Sequence, residues 1–402
     1  MNTPAIEIIA PDPHVHAEAL CDFVGEAFLS VTAIERFSDF CRRGYILGSH
    51  YDWNVSRIGV LGGRIVTHWG VWDYRMRIGR ARVRVGGIGA VSTHRDYRKQ
   101  GLMVRTATAS LEAMRRAGYD LSILFGVPDF YHRFGYVRAW ADTTYAVCID
   151  NLPPERPADR LRNFKPLARN DLDRLYNHEN ARRTGTALRP TYPRCMYPEP
   201  MEGYRWADAR GRTAGYVVYV CRKERLECVD AAGDVDKILR VLAMVARRCG
   251  LREIRFSTFS DTSPLIRRLR RGNCRAETQY CRSGGPMVTT IGLAGVLEKM
   301  SGELAARLRA SPWAGWRGRL LVADGRDAVT LAIGRKGIHI GAPEKTTHVL
   351  RGGDEIAQLL IGAGDPDEII EDAGIRTRGD GRKVARILFP NEHPQLSQRD
   401  RF

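Results

Sequence analysis

No apolar run in the 402 residues approaches the roughly 20 that a bilayer-spanning helix needs, so no membrane span is expected. The opening stretch, residues 1–16, lacks a basic segment followed by an apolar one, and no signal peptide is expected. Cysteine is sparse and odd in number, nine in all, with no C-x-x-C pair. That argues against a disulfide framework or a zinc site and fits free or buried thiols in a reducing cytoplasm, with no metal. Low-complexity tracts and short repeats are also missing, which argues against a disordered scaffold or a repeat array. Lysine is scarce beside arginine. The net charge of +17 suggests an anionic partner, but the basic residues are spread over the whole chain rather than gathered in one block. A nucleic-acid partner is therefore not expected, and a phosphate-rich cofactor would use only a few of these charges.

With 44% hydrophobic and 27% charged residues, the composition is that of an ordinary globular protein. At about 150 residues per domain the length allows two or three domains. The first segment opens on a strand-like Ile6-Glu7-Ile8-Ile9, then carries apolar residues at helical spacing over 14–42. Strand-like runs follow at 57–61 and 65–69 around Gly62-Gly63, and again at 81–91. A helix is expected over 102–117, a buried strand over 121–125, a short helix and turn over 128–136 and a strand over 144–149. The Pro-rich stretch 151–157 reads as a boundary. A second segment has strands at 215–220, 225–229 and 253–257 around a helix at 234–248, which partly repeats the first segment's order. Residues 281–290 are a crossing strand or second boundary. The last segment has an amphipathic helix over 293–308, then strands at 318–322, 328–333 and 336–340. The expected fold is mixed α and β, in three domains: 1–150, 151–290 and 291–402.

One stretch carries chemistry. In Val91-Ser92-Thr93-His94-Arg95-Asp96-Tyr97-Arg98-Lys99-Gln100-Gly101-Leu102-Met103 a strand leads through a basic loop directly onto a helix. The first N–H groups of a helix have no internal partner and, with the helix dipole, attract an anion. Gly101 lets the backbone approach a phosphate closely. The Arg98-x-x-Gly101 spacing after a strand resembles the pyrophosphate loop of the Gcn5-related N-acetyltransferase (GNAT) superfamily, departing from it at Met103, where that family has a small residue. Downstream, Tyr131-His132-Arg133-Phe134-Gly135-Tyr136 resembles the superfamily's tyrosine-containing turn. In organisation the whole chain is similar to the Eis family, down to the tail Asp400-Arg401-Phe402.

The resemblance implies tandem GNAT folds, the second degenerate, followed by a domain like sterol carrier protein, in a cytoplasmic hexamer. It implies an N-acetyltransferase that passes the acetyl group of acetyl-CoA to an amine through a tetrahedral intermediate. Coenzyme A would lie along Ala90, Val91, Arg98, Lys99, Gln100, Gly101, Leu102 and Met103. The Val91 N–H would serve the oxyanion and Tyr131 the leaving thiolate as general acid; a phenol near pKa 10 suits a thiol near 8.5. The general base would be the terminal carboxylate of Phe402. Glu26, His68 and His94 are other candidates for that role. Asp22, Glu26 and Phe28, on the first helix, are candidate acceptor contacts. Arg401 and the overall positive charge disfavour a polycationic acceptor and suit a monoamine, a peptide N-terminus or a lysine. The alternative reading is a non-catalytic acyl-CoA-binding or lipid-binding protein that works through its last domain.

Overall fold

The computed structural model describes residues 6–29, 37–154, 161–164, 170–189, 201–281 and 284–402. Parts of two expected features, residues 30–36 of the first helical stretch and 155–157 of the Pro-rich boundary, lie outside them. The fold is mixed α/β. In chain order the first elements are β1 (Glu7–Ile9), α1 (Ala17–Phe28), α2 (Phe37–Phe40), β2 (Arg57–Leu61), β3 (Arg64–Ile78), β4 (Ala81–Thr93), α3 (Leu102–Arg116), β5 (Leu121–Gly126), β6 (Val137–Arg138) and β7 (Asp142–Cys148).

The first sheet runs β1-β2-β3-β4-β5, then strand Gly285–Thr290, then β6. Only the β4–β5 contact among these is parallel, with α3 as its crossover. Alternation sets the two faces of β4. A Cβ at Gly86 would meet Met114 of α3, whereas a Cβ at Gly87 would meet the ring of Phe402. β3 was expected to end near 69. It runs on to Ile78: Trp72-Asp73-Tyr74-Arg75-Met76-Arg77-Ile78 alternates apolar and polar residues, a strand pattern that continues past the expected end.

The second sheet runs Cys274–Gln279, β7, Glu253–Phe256, Leu226–Ala232, Thr213–Cys221, Glu202–Ala207, Arg162–Phe164. The limit expected at 150 therefore does not coincide with sheet membership, and the segment 151–290 contributes to both of the first two sheets, whereas the third sheet lies wholly beyond 290. β7, from the first segment, pairs with Glu253–Phe256 and Cys274–Gln279. Strand Gly285–Thr290, from the second, pairs with β5. The two sheets exchange strands, a non-local pairing that no local pattern announces.

A third sheet, Gly337–Gly341, Ala328–Gly334, Gly318–Ala323, His348–Arg351, Arg376–Arg378, lies under helix Leu293–Arg309. That helix's apolar stripe, Leu293, Val296, Leu297, Leu304 and Leu308, is core: it packs in one cluster with Tyr74, Met76 and Val83 of the first sheet and Leu320 and Leu331 of the third. Lys299 on the same helix reaches the buried Asp120 carboxylate at 2.6 Å and ties the last segment to the first. No helix among the described residues is long and apolar enough to cross a membrane.

Candidate active site

The site begins with a fault in the β3–β4 ladder. The register slips between His68 and Gly70, so that Trp69 faces two residues, Ala90 and Val91. Ala90 takes a φ of 49°, unusual for a residue with a Cβ. His68 holds this bulge in place. Its Nδ1 lies 2.8 Å from the Ala90 carbonyl oxygen, which can only accept, so Nδ1 carries the proton. The lone pair on Nε2 then accepts from the Tyr51 hydroxyl, 2.8 Å away. Burial lowers the His68 pKa to about 4, only partly opposed by its bond to Ala90. A neutral imidazole with both nitrogens engaged has no lone pair for a substrate, and His68 drops out as a base.

A stability effect follows. Between pH 6.5 and about 4 the unfolded chain binds a proton at this imidazole and the folded chain does not. Stability is therefore lost as pH falls through that window, by about 3 kcal/mol in the limit. His68→Asn, which keeps a donor for Ala90, should flatten this part of the pH dependence. Urea midpoints at pH 7 and pH 4.5 check it; the same slope in both proteins would refute it.

Just before the bulge β4 leaves β5. Their parallel pairing ends at Ile88 opposite Leu124, while β5 stays paired on its other side through Gly126. The result is a wedge between the two strands. Phe402 fills one face of it. Its ring lies on Gly87, where any Cβ would collide with it, between Tyr74 at 5.7 Å and Phe125 at 5.8 Å. Its carboxyl carbon and the Tyr45 hydroxyl both border the position that a Cβ at Gly89 would take. Tyr131 lies on the other face. It packs over Gly126 and against Trp69, Phe130 and Tyr136, in one cluster with Met103 and Val91. Its hydroxyl has no hydrogen-bond partner among the described residues, and burial pushes its pKa up to about 12. Alternation along β4 and β5 thus sets Phe402 and Tyr131 on opposite sides of the sheet.

The same wedge opens toward the start of α3. Lys99 and Gly101 both take positive φ, 63° and 73°, and turn the chain into the helix. Arg98, Lys99, Gln100 and Gly101 are exposed, and Gly101 has open space where a Cβ would be. The helix has no side-chain cap and no acidic residue in its first turn, so its leading N–H groups face an uncontested position. The Arg98 side chain bonds the Thr93 carbonyl at 3.2 Å and braces the loop. These residues fit a diphosphate. Met103, the departure from the family pattern, turns its side chain into the core beside Tyr131 and leaves the loop's outer surface clear.

The remaining candidates fall elsewhere. His94 caps the turn Arg95–Tyr97, its Nδ1 accepting from the Asp96 N–H. Asp22 and Glu18 are both held by Arg42 at 2.6 Å. Glu26 is exposed on α1. Phe28 begins a run of aromatic contacts through Phe37 at 5.4 Å, Phe40 and Tyr45 to Trp72. Tyr45 was missed from the sequence. It follows Gly44 in an irregular turn, and only the tail's return brings it to Phe402.

Residues 18–139 match the acetyltransferase (GNAT) domain family. No curated protein matches the sequence. Solved structures with the same fold include a GCN5-related N-acetyltransferase from Anabaena variabilis, at 15% identity with a TM-score of 0.77, covering 99% of this chain and 100% of that one. A conserved protein of unknown function from Enterococcus faecalis, described as a probable N-acyltransferase, is 15% identical with a TM-score of 0.74 over the same shares. Eis1 from Mycobacterium abscessus is 14% identical with a TM-score of 0.64 over 99% of both chains.

Proposed function

We propose that the protein is an acetyl-CoA-dependent N-acetyltransferase whose general base is the terminal carboxylate of Phe402. The observation that carries this reading is the wedge between β4 and β5, with Tyr131 on one face and the Phe402 carboxyl on the other. The loop Arg98–Gly101 and the N–H groups of Leu102 and Met103 hold the diphosphate, and Ala90 and Val91 line the way inward. Bound acetyl-CoA supplies the thioester carbonyl. The Phe402 carboxylate attracts the acceptor's ammonium, which gives up one proton to water before attack, and takes the second proton as the neutral nitrogen bonds to carbon. The Val91 N–H is the donor for the carbonyl oxygen. Tyr131, with a pKa near 12, is a weaker acid than a thiol near 8.5. Its hydroxyl therefore stabilises the departing sulfur as a hydrogen-bond donor; the proton that Phe402 took from nitrogen passes to the solvent, from whose buffered proton pool the thiolate is protonated.

The acceptor is best read as an amine with one positive charge and an apolar body. The aromatic run from Phe28 to Trp72 leads to Phe402, Asp22 is neutralised by Arg42, and Arg401 lies next to the carboxylate in sequence. Phe28 and Glu26 remain the proposed acceptor contacts. The degenerate second GNAT unit, the sterol-carrier-like last domain and a six-copy assembly belong to the same proposal.

Thiol release from acetyl-CoA, followed against a panel of monoamines, peptides and polycations, tests it. Turnover should appear with monoamines, and Arg98→Ala should raise the KM for acetyl-CoA about tenfold, the worth of one charged phosphate contact. No thiol release with any amine, or an unchanged KM in the variant, would count against this site.

A further inference from the structure

A chain terminus is ordinarily frayed and solvated, a poor place for a group whose position must be held. Here the preceding residues are fixed. Arg189 is fully buried and grips Asp400 with two bonds, Nε at 2.7 Å and Nη2 at 2.6 Å. Its Nη1 reaches Asp230 at 2.8 Å, on strand Leu226–Ala232 of the second sheet. Asp230 also receives Arg399 at 3.0 Å and the Tyr216 hydroxyl at 3.1 Å. Burial disfavours the charge on Asp230, but Arg189 and Arg399 outweigh it and hold its pKa below the usual range. The Arg189 guanidinium lies 3.4 Å from the centre of the Tyr176 ring, and its backbone N–H bonds Asn177 at 3.0 Å. The segment that carries Arg189 is tied to the first sheet: Gly185 and Leu188 donate to the carbonyls of Arg77 and Arg75 on β3.

We infer that Arg189, Asp230, Arg399 and Asp400 form a clamp that positions the carboxylate of Phe402, so that the second sheet takes part in acetyl transfer by anchoring the chain's last residues. The inference rests on the proposed role of that carboxylate. Two guanidiniums and two carboxylates balance in charge. Buried ion clusters of this kind add little net stability over apolar packing, whereas a bidentate fork fixes both direction and distance. From Asp400 to Phe402 the chain can span only about 7 Å. Holding Asp400 therefore keeps the carboxylate on a two-residue leash at the wedge. The guanidinium of Arg401, 4.1 Å from the centre of the Phe125 ring, steadies the residue between. These four residues touch no reacting atom in this account; they are positioning residues.

The test is Asp400→Asn in the full chain, with two readouts. A carboxypeptidase selective for aromatic termini should release Phe402 at least about tenfold faster than from wild type, below each protein's own Tm. In the same variant kcat should fall about a hundredfold, with KM for acetyl-CoA unchanged. Release no faster than wild type overturns the clamp, whatever the activity; fast release with wild-type kcat overturns its part in catalysis. If Asp400→Asn gives no cooperative melt, the charge-balanced double variant Arg399→Met with Asp400→Asn is read in the same way. A wild-type protein that transfers no acetyl group would defeat the proposed function but leave the release comparison standing, so the two failures are distinct.

Discussion

Amidating the terminal carboxyl of Phe402, or extending the chain a few residues past it, should lower kcat by about 10²–10⁴-fold, the usual range for a general base. Amidation is the sharper of the two, because it removes the charge without adding bulk and leaves the ring on Gly87. Phe402→Ala is the complement. It keeps a carboxylate but removes the ring that packs between Tyr74 and Phe125, so its loss should be smaller and should come from a less ordered end. Steady-state kinetics with a monoamine acceptor, on protein whose tag is cleaved to leave Phe402 last, provide the reference. An amidated enzyme with full turnover would take the carboxylate out of the mechanism.

Tyr131→Phe should cost about a hundredfold in kcat while leaving the KM for acetyl-CoA within about threefold. The substitution is conservative for packing, since the ring contacts with Trp69, Phe130 and Tyr136 all survive. The pH profile separates this role from a general effect. With a pKa raised to about 12 by burial, the wild-type phenol stays protonated across the working range. It should therefore produce no alkaline limb below about pH 11. A limb near pH 10 that is absent from Tyr131→Phe would show a solvated tyrosine in place of the buried one. Wild-type turnover in the variant would remove the hydroxyl from the chemistry.

What could be read from the chain alone was what local physics decides. Helix α3 was expected over 102–117 and spans Leu102–Arg116, because its apolar spacing and the Gly118 stop are near neighbours in sequence. The helix expected over 234–248 runs Val235–Arg248, with Asp234 as its cap. The Arg98–Gly101 loop and Tyr131 could be singled out for the same reason, being short patterns between recognisable elements; their roles stay proposals. The bulge at Ala90 was not. It is held by His68, which is 22 positions away and reads in sequence like any histidine in a strand. The clamp was further out of reach, since Arg189 and Asp400 are 211 positions apart. Nothing local distinguishes Arg189 from the many arginines around it. Of the helical spacing over 14–42, α1 takes Ala17–Phe28 and α2 Phe37–Phe40, while residues 30–36 lie outside the described residues.

The exchange of strands between the first two sheets has a consequence during synthesis. β5 is finished at Gly126, but the strand that covers its outer side starts only at Gly285. Roughly 160 residues must be translated in between, which at ribosomal speeds takes on the order of ten seconds or more. Throughout that interval the nascent chain carries the unpaired outer edge of a buried strand. That is the condition under which chaperones bind and neighbouring chains pair wrongly. The protein cannot mature one domain at a time from its amino terminus. Its first sheet closes only after every strand of the second has been made.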